Sequence, residues 1–82
     1  MNPQQAQAML DKLYQDVCDG IEQQLRVSDC LELREGDQGL AGNDICEIAN
    51  ILAHRGVHNR LFSMKNEPDK LVLVIGSAVP RV

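Results

Sequence analysis

The stretch RLFSMKNEPDKLVLVI, residues 60–75, contains two strand-like segments on either side of a turn signal. That signal is NEPD at 66–69, where Pro, Asn and Asp favour turn geometry. The flanking segments are rich in aliphatic, β-branched and aromatic residues. They predict strands at about 60–65 and 71–75, joined as a hairpin.

The second strand of this hairpin is apolar on both faces. Leu71, Leu73 and Ile75 alternate with two valines, as in strands that are covered on both sides. Helices on one side of the sheet would leave the other side bare, and a bare apolar face usually marks an interface. That face consists of Phe62, Met64, Val72 and Val74. We expect a homo-oligomer or a heteromer to form through it; the alternative is that two helices lie on opposite faces of the sheet.

Two further elements precede the hairpin. An apolar stripe predicts a helix at about 44–55. Asp44 and Glu47 have the spacing of a capping box at its start, and Gly56 is the expected left-handed C-cap at its end. Before this helix, the alternating sequence CLELR predicts a strand at about 30–34 with one wet face.

The chain opens with the longest helix, at about 3–26. Asn2 is the expected N-cap, Pro3 the first helical residue and Gln5 the capping-box partner. Apolar residues recur along it at steps of three and four and predict one buried stripe. The stripe consists of Ala6, Met9, Leu10, Leu13, Val17, Ile21 and Leu25. Gly20, inside the helix, is expected to mark close packing against a neighbour.

The elements follow the order α-β-α-β-β and predict an α+β fold, with two amphipathic helices packed on a three-stranded sheet. The 82 residues form one small domain, 1–82, with a loosely held tail at 77–82. The longest apolar run is shorter than the roughly 20 residues that span a bilayer, and the N-terminus has no signal-peptide pattern. We therefore expect a cytoplasmic protein without membrane contact.

Charge is unevenly distributed along the chain. Ten acidic and three basic residues give a net charge of −7 up to residue 48, and the remainder carries +3. An acidic field repels phosphate backbones and attracts basic surfaces, so we expect no direct nucleic-acid binding and a protein partner, with a basic one favoured. The predicted acidic face of the first helix consists of Asp11, Asp16, Asp19 and Glu22.

A glycine-rich loop precedes the second helix. Gly36, Gly39 and Gly42 lie three residues apart, and backbone N–H groups before a helix are able to bind phosphate. The spacing differs from G-x-G-x-x-G, no lysine follows, and the neighbouring carboxylates oppose an anion. We interpret the loop as a connection between elements.

The cysteines and histidines do not form a pattern typical of a reaction centre. Cys18, Cys30 and Cys46 fit neither a disulfide framework nor a zinc site, and we expect reduced, buried thiols. His54 and His58 have a metal-binding spacing, but a glycine between them interrupts the helix. No metal or cofactor is predicted.

No motif names a reaction, so enzymatic activity stays undecided, with a non-catalytic role favoured and no catalytic residue assigned. The sequence favours a small protein-interaction module, such as an inhibitor, adaptor or regulatory subunit. Its predicted surfaces are the acidic helix face and the apolar sheet face. One alternative is a thiol-dependent carrier or enzyme that uses Cys46 or Cys18. Another is a regulatory domain that binds a small ligand at the glycine-rich loop, 36–44.

Overall fold

The computed structural model describes residues 2–76, so the expected tail at 77–82 lies outside the described residues. The α+β class and the order of the main elements are confirmed. Two helices and three strands alternate with one short 3₁₀ turn. The elements are α1 (Pro3–Gln24), β1 (Cys30–Arg34), the 3₁₀ turn (Asp37–Gly39), α2 (Gly42–His54), β2 (Asn59–Ser63) and β3 (Leu71–Gly76).

The predicted start of α1 is confirmed. Asn2 Oδ1 accepts from Gln5 N at 2.8 Å, and Asn2 N donates back to Gln5 Oε1 at 3.2 Å, which completes the capping box. Pro3 follows at the first helical position. The helix ends two residues before the predicted Arg26, because Arg26 N donates three residues back to Gln23 O, at 3.2 Å, in a turn that leaves the helix.

The buried side of α1 matches the predicted stripe in part, because Ile21 is buried and Leu10, Val17 and Leu25 pack against the core. Tyr14, Cys18 and Ile21 are the buried residues, whereas Met9 is 59% exposed and Leu13 is 46% exposed. The helix is therefore rotated relative to the stripe drawn through its aliphatic residues. Tyr14 is able to lie in the core because its hydroxyl group forms a hydrogen bond with a residue of α2.

That partner is Asp44, whose carboxylate connects the two helices. Tyr14 Oη donates to Asp44 Oδ1, and Ala41 N donates to Asp44 Oδ2 at 2.8 Å. The predicted capping box between Asp44 and Glu47 is therefore wrong, because α2 begins at Gly42 with Ala41 as its N-cap. Asp44 is itself the third helical residue and reaches back to the cap.

These bonds shift both ionisation equilibria. The Asp44 hydrogen bond raises the pKa of Tyr14 to about 12, while the Tyr14 bond, followed by the Ala41 bond, lowers the pKa of Asp44. Stability from Asp44 is fully present above the unfolded pKa of about 3.9 and is lost as pH falls through the lower folded value. Stability from Tyr14 is fully present below pH about 10 and is lost as pH rises towards about 12.

Tyr14→Phe is expected to lower the free energy of unfolding by about 1–2 kcal/mol near neutral pH, because Asp44 loses a part-buried hydrogen-bond donor. Urea unfolding between pH 3 and pH 11, followed by circular dichroism, checks it. The variant should lose stability less steeply than the wild type at both ends of this range. Asp11→Asn, at an exposed carboxylate on the same helix, is the control and should follow the wild type. If the free energy of unfolding varied with pH in the same way for Tyr14→Phe and the wild type, the hydrogen bond between Tyr14 and Asp44 would not be the cause of the pKa shifts.

The end of α2 is close to the prediction. The helix stops at His54, and Gly56 has the expected left-handed φ of 77°. Gly56 N donates to Ala53 O at 3.0 Å and Val57 N donates to Leu52 O at 2.9 Å, the two bonds of a Schellman motif. This cap turns the chain from the helix into β2.

The sheet has the order β1-β3-β2, with both neighbouring pairs antiparallel. The predicted hairpin between the last two strands is confirmed as β2–β3. β2 begins at Asn59 and ends at Ser63 instead of Lys65, because Glu67 N bonds back to Met64 O at 3.2 Å and turns the chain. β3 becomes the central strand.

Both helices pack on one face of the sheet. The core combines buried residues of α1 and α2 with Leu33, Leu73 and Ile75, which share the inner face because side chains alternate along a strand. The residues between them on each strand are exposed or half-buried. The arrangement with helices on opposite faces is thus wrong, and the other face of the sheet is not covered within residues 2–76.

Candidate interaction surfaces

The uncovered face, which we call the outer sheet face, is organised in two rows across the strands. Cross-strand partners share a face, so the register defines each row from β1 through β3 to β2. One row consists of Glu32, Val74 and Arg60, and the other of Arg34, Val72 and Phe62. The apolar residues therefore lie in the middle and on the β2 side, with charges at the edges.

The apolar part of this face contains the residues predicted for it. Phe62 is 42% exposed, and Val72 and Val74 are half-buried. Met64 follows the end of β2, where Met64 N donates to Lys70 O at 2.9 Å, and it is also half-buried. These side chains form a continuous strip along the hairpin.

Alternation along CLELR placed Glu32 and Arg34 on the wet face of β1, but the presence of Arg60 beside them did not emerge from the sequence. Arg34 Nη2 and Glu32 Oε2 form an ion pair at 3.0 Å with both side chains about half exposed. Arg60 has no ion pair or side-chain hydrogen bond among residues 2–76. Their places in the rows follow from the register, which no local pattern reveals.

The four residues of the predicted acidic helix face have two different environments, and the first two make contacts only within α1. Asp11 Oδ1 accepts from Gln7 Nε2 at 2.9 Å, and Asp16 pairs with Lys12 at 2.8 Å. Both contacts are exposed and join residues four apart on α1, so they contribute little to stability. Asp11 and Asp16 remain on the surface of the helix.

Asp19 and Glu22 have a different role, because they bind Arg55, the residue that follows the last residue of α2. Arg55 Nη1 donates to Asp19 Oδ1 at 2.9 Å and to Glu22 Oε2 at 2.6 Å, and Nη2 donates to Gln15 Oε1. The bonds to Asp19 and then Glu22 raise the pKa of Arg55 above its already high value. This cluster connects α1 to α2, and Arg55 offsets one of the two negative charges of Asp19 and Glu22.

An open groove of about 670 Å³ lies between α1 and β1. Its apolar floor consists of Leu13, Val17, Ile21, Leu31, Leu33 and Ile75. Its rim carries the acidic residues Asp16 and Asp37. Glu32 also lines the groove, but its carboxylate pairs with Arg34 on the outer sheet face. Gly20 also lines the groove, and a Cβ there would meet nothing within 4 Å. The expectation that Gly20 marks close packing is therefore wrong.

The glycine-rich loop uses its backbone donors internally. Gly36 N bonds to Leu40 O at 2.7 Å, and Leu40 N bonds to Asp37 O at 2.9 Å. Glu35 Oε1 accepts from Leu71 N at 3.1 Å and lies against Gly42, 3.0 Å from where a Cβ would stand. With this carboxylate at the start of α2, the geometry opposes a bound phosphate.

The cysteines are dispersed. Cys18 is fully buried, and burial raises the pKa of its thiol, which opposes a nucleophilic role. Cys30 and Cys46 are exposed, so the expectation of buried thiols is wrong for these two. The sulfur of Cys46 has no hydrogen-bond partner among the described residues.

The two histidines lie at the end of α2 and beyond it. His54 Nδ1 bonds to Asn50 O at 2.8 Å within the helix. His58 precedes β2, and its carbonyl accepts from Gly76 N at 2.8 Å. Across residues 2–76, no group of three or more Cys, His, Asp or Glu residues has a geometry that would hold a metal ion.

No helix within the described range is long and apolar enough to cross a membrane. Comparison of the chain with protein-family models, with curated proteins and with solved structures gave no match.

Proposed function

We propose that this protein is a non-catalytic interaction module that binds a basic, extended segment of another protein in the groove between α1 and β1. The observation that carries this proposal is the combination of an apolar floor and an acidic rim beside an edge strand. An inhibitor, an adaptor or a regulatory subunit would act through such a surface.

The edge of β1 offers backbone groups for pairing. Glu35 N bonds to Leu71 O at 2.9 Å across the sheet, so the alternate residues Cys30, Glu32 and Arg34 direct their backbone groups away from β3. Asp37 Oδ2 accepts from Arg34 N at 2.9 Å and closes one end of this edge. The groups of Cys30 and Glu32 remain for a segment that adds to the sheet as a further strand.

The groove would then receive every second side chain of the added segment. Alternate residues of a strand point to the same face, so apolar residues would enter the floor beside Leu13 and Leu31. The Leu13 side chain, which the core leaves 46% exposed, would become covered. A segment bound in the groove would therefore explain why Leu13, an apolar residue of α1, is left exposed by the core.

Charge selects the class of partner. The rim carries Asp16 and Asp37, which favour lysine and arginine and repel phosphate backbones. Asp16 already pairs with Lys12 in an exposed contact, with which a basic residue of the partner would compete. A second copy of the chain pairing at the same edge would bring these carboxylates together, and like-charge contacts oppose association. A basic protein segment is therefore the occupant that fits.

Two synthetic peptides test this proposal, one alternating valine with lysine and the other alternating valine with glutamate. In an NMR titration, the lysine peptide is expected to bind saturably and to shift amide signals of α1 and β1 around Leu13 and Leu31. Added salt should weaken the binding. The glutamate peptide should leave these signals unchanged.

A pair of variants provides the control. Leu13→Lys places a positive charge in the groove and should abolish binding of the lysine peptide. Val27→Lys introduces the same residue at a position that is 87% exposed and does not line the groove, and should leave binding intact. Equal binding of both peptides, or no saturable binding by the lysine peptide, would rule out the proposed function.

A further inference from the structure

We propose that a second copy of this chain covers the outer sheet face, with a two-fold axis parallel to β3. The inference rests on the proposed interaction role and names the occupant of a second surface, opposite the groove. The two surfaces are on different sides of the sheet, so each is testable without the other.

The two rows of the outer sheet face determine which residues of the two copies this axis brings into contact. β3 is central and the edge strands flank it, so a two-fold rotation about a line parallel to β3 exchanges the sides of the sheet. β1 of one copy then lies over β2 of the other, and each row stays opposite itself. Two sheets stacked in this way pack at about 10 Å with aligned strands.

This superposition matches opposite charges and apolar groups. Glu32 comes to lie over Arg60 of the second copy, because both belong to the row centred on Val74. In the next row, Arg34 comes to lie over Phe62 of the second copy, where a guanidinium is attracted to an aromatic face. Val72 and Val74 meet their own counterparts at the axis.

Two different two-fold axes could stack these faces, one parallel to the strands and one perpendicular to them. The position of Arg60 favours the parallel axis. An axis perpendicular to the strands would place Glu32 over Arg34 and Arg60 over Phe62. Arg60 has no ion pair among the described residues, and covering it without a carboxylate would leave an unpaired charge in the interface. The axis parallel to β3 gives Arg60 a carboxylate.

The size of the face determines the strength expected of this dimer. Three strands about 4.8 Å apart and five or six residues long cover roughly 250–300 Å². A standard interface buries about 800 Å² on each partner. A weak, reversible dimer is therefore expected.

Sedimentation equilibrium of the purified chain over the micromolar range tests the inference. The wild type is expected to convert from monomer to dimer as concentration rises. Phe62→Ser and Arg60→Glu should each weaken dimerisation by about tenfold or more, with the fold verified by circular dichroism. Arg26→Glu makes the same charge change outside the outer sheet face and should not affect it.

The combined variant Glu32→Arg with Arg60→Glu restores opposite charges only for the axis parallel to β3, and it should recover dimerisation. A monomer at every concentration, a dimer that is insensitive to Phe62→Ser, or a failure of the combined variant to recover would each overturn the inference. Binding of the lysine peptide by Phe62→Ser would show separately that the groove functions without the dimer.

Discussion

Gly76→Ala is expected to lower the free energy of unfolding by about 2–5 kcal/mol. Gly76 has a φ of 130°, which side-chain-bearing residues rarely adopt. A Cβ at this position would lie 2.3 Å from Asp29 O and 3.1 Å from Cys30 Cα. These are backbone atoms of the neighbouring strand and the turn before it, so the clash is relieved only if the β1–β3 pairing shifts.

The expected loss is large for a chain of this size. A domain of 82 residues has a total stability of roughly 4–12 kcal/mol. Gly76 also donates its N–H to His58 O at 2.8 Å, and a shift of the strand end would weaken that bond. The variant is therefore expected to lose a large fraction of its total stability.

Urea unfolding followed by circular dichroism measures this effect, with Gly20→Ala as the matched control. Gly20 is helical, and a Cβ there would meet nothing within 4 Å. Alanine at this position should stabilise the protein by about 0.5–1 kcal/mol through helix propensity. The same substitution is thus expected to act in opposite directions at the two glycines. An unchanged midpoint for Gly76→Ala would refute the close approach of Asp29.

Leu73→Ala is expected to lower the free energy of unfolding by about 2–5 kcal/mol. Leu73 lies at the middle of the central strand, is 0% exposed and pairs with Leu33 on one side and Leu61 on the other. Removing its side chain leaves a cavity between the sheet and both helices. Since the core around Leu73 is closely packed, the surrounding structure has little freedom to fill it.

The control for Leu73→Ala is Leu61→Ala, the same substitution in the same row of the sheet. Leu61 lies on the edge strand β2 and is 39% exposed, so truncation should cost much less. Urea unfolding midpoints of the two variants provide the comparison, with unchanged m-values as the test of an intact two-state transition. An equal loss for both variants would show that Leu73 is not the better buried residue.

The sequence was sufficient to predict most element boundaries to within about two residues. The start of α1 at Asn2 and Pro3 followed from capping, and the bounds of β1 followed from alternation. The start of α2 was placed two residues late. Asp44 has the composition of an N-cap but acts at the third position, because Tyr14 of another helix binds the same carboxylate.

The candidate surfaces were predicted only in part. Phe62, Val72 and Val74 were correctly placed on one face, since a strand pattern determines which side chains share a side. The groove was not predicted, because it depends on how α1 lies beside β1. The pairing of Asp19 with Arg55 was also missed, since 36 residues separate them and no spacing rule relates such positions.

Features that depend on neighbours within about four residues could be predicted from the amino-acid sequence. These are the capping box at Asn2, the left-handed turn at Gly56 and the β2–β3 hairpin, in which hydrogen bonding and side-chain alternation act locally. Three features became apparent only in the folded chain: both helices pack on one face, β3 is central, and Tyr14 is buried while Leu13 stays 46% exposed. Those outcomes depend on how distant segments pack together and satisfy one another's polar groups, which local patterns do not specify.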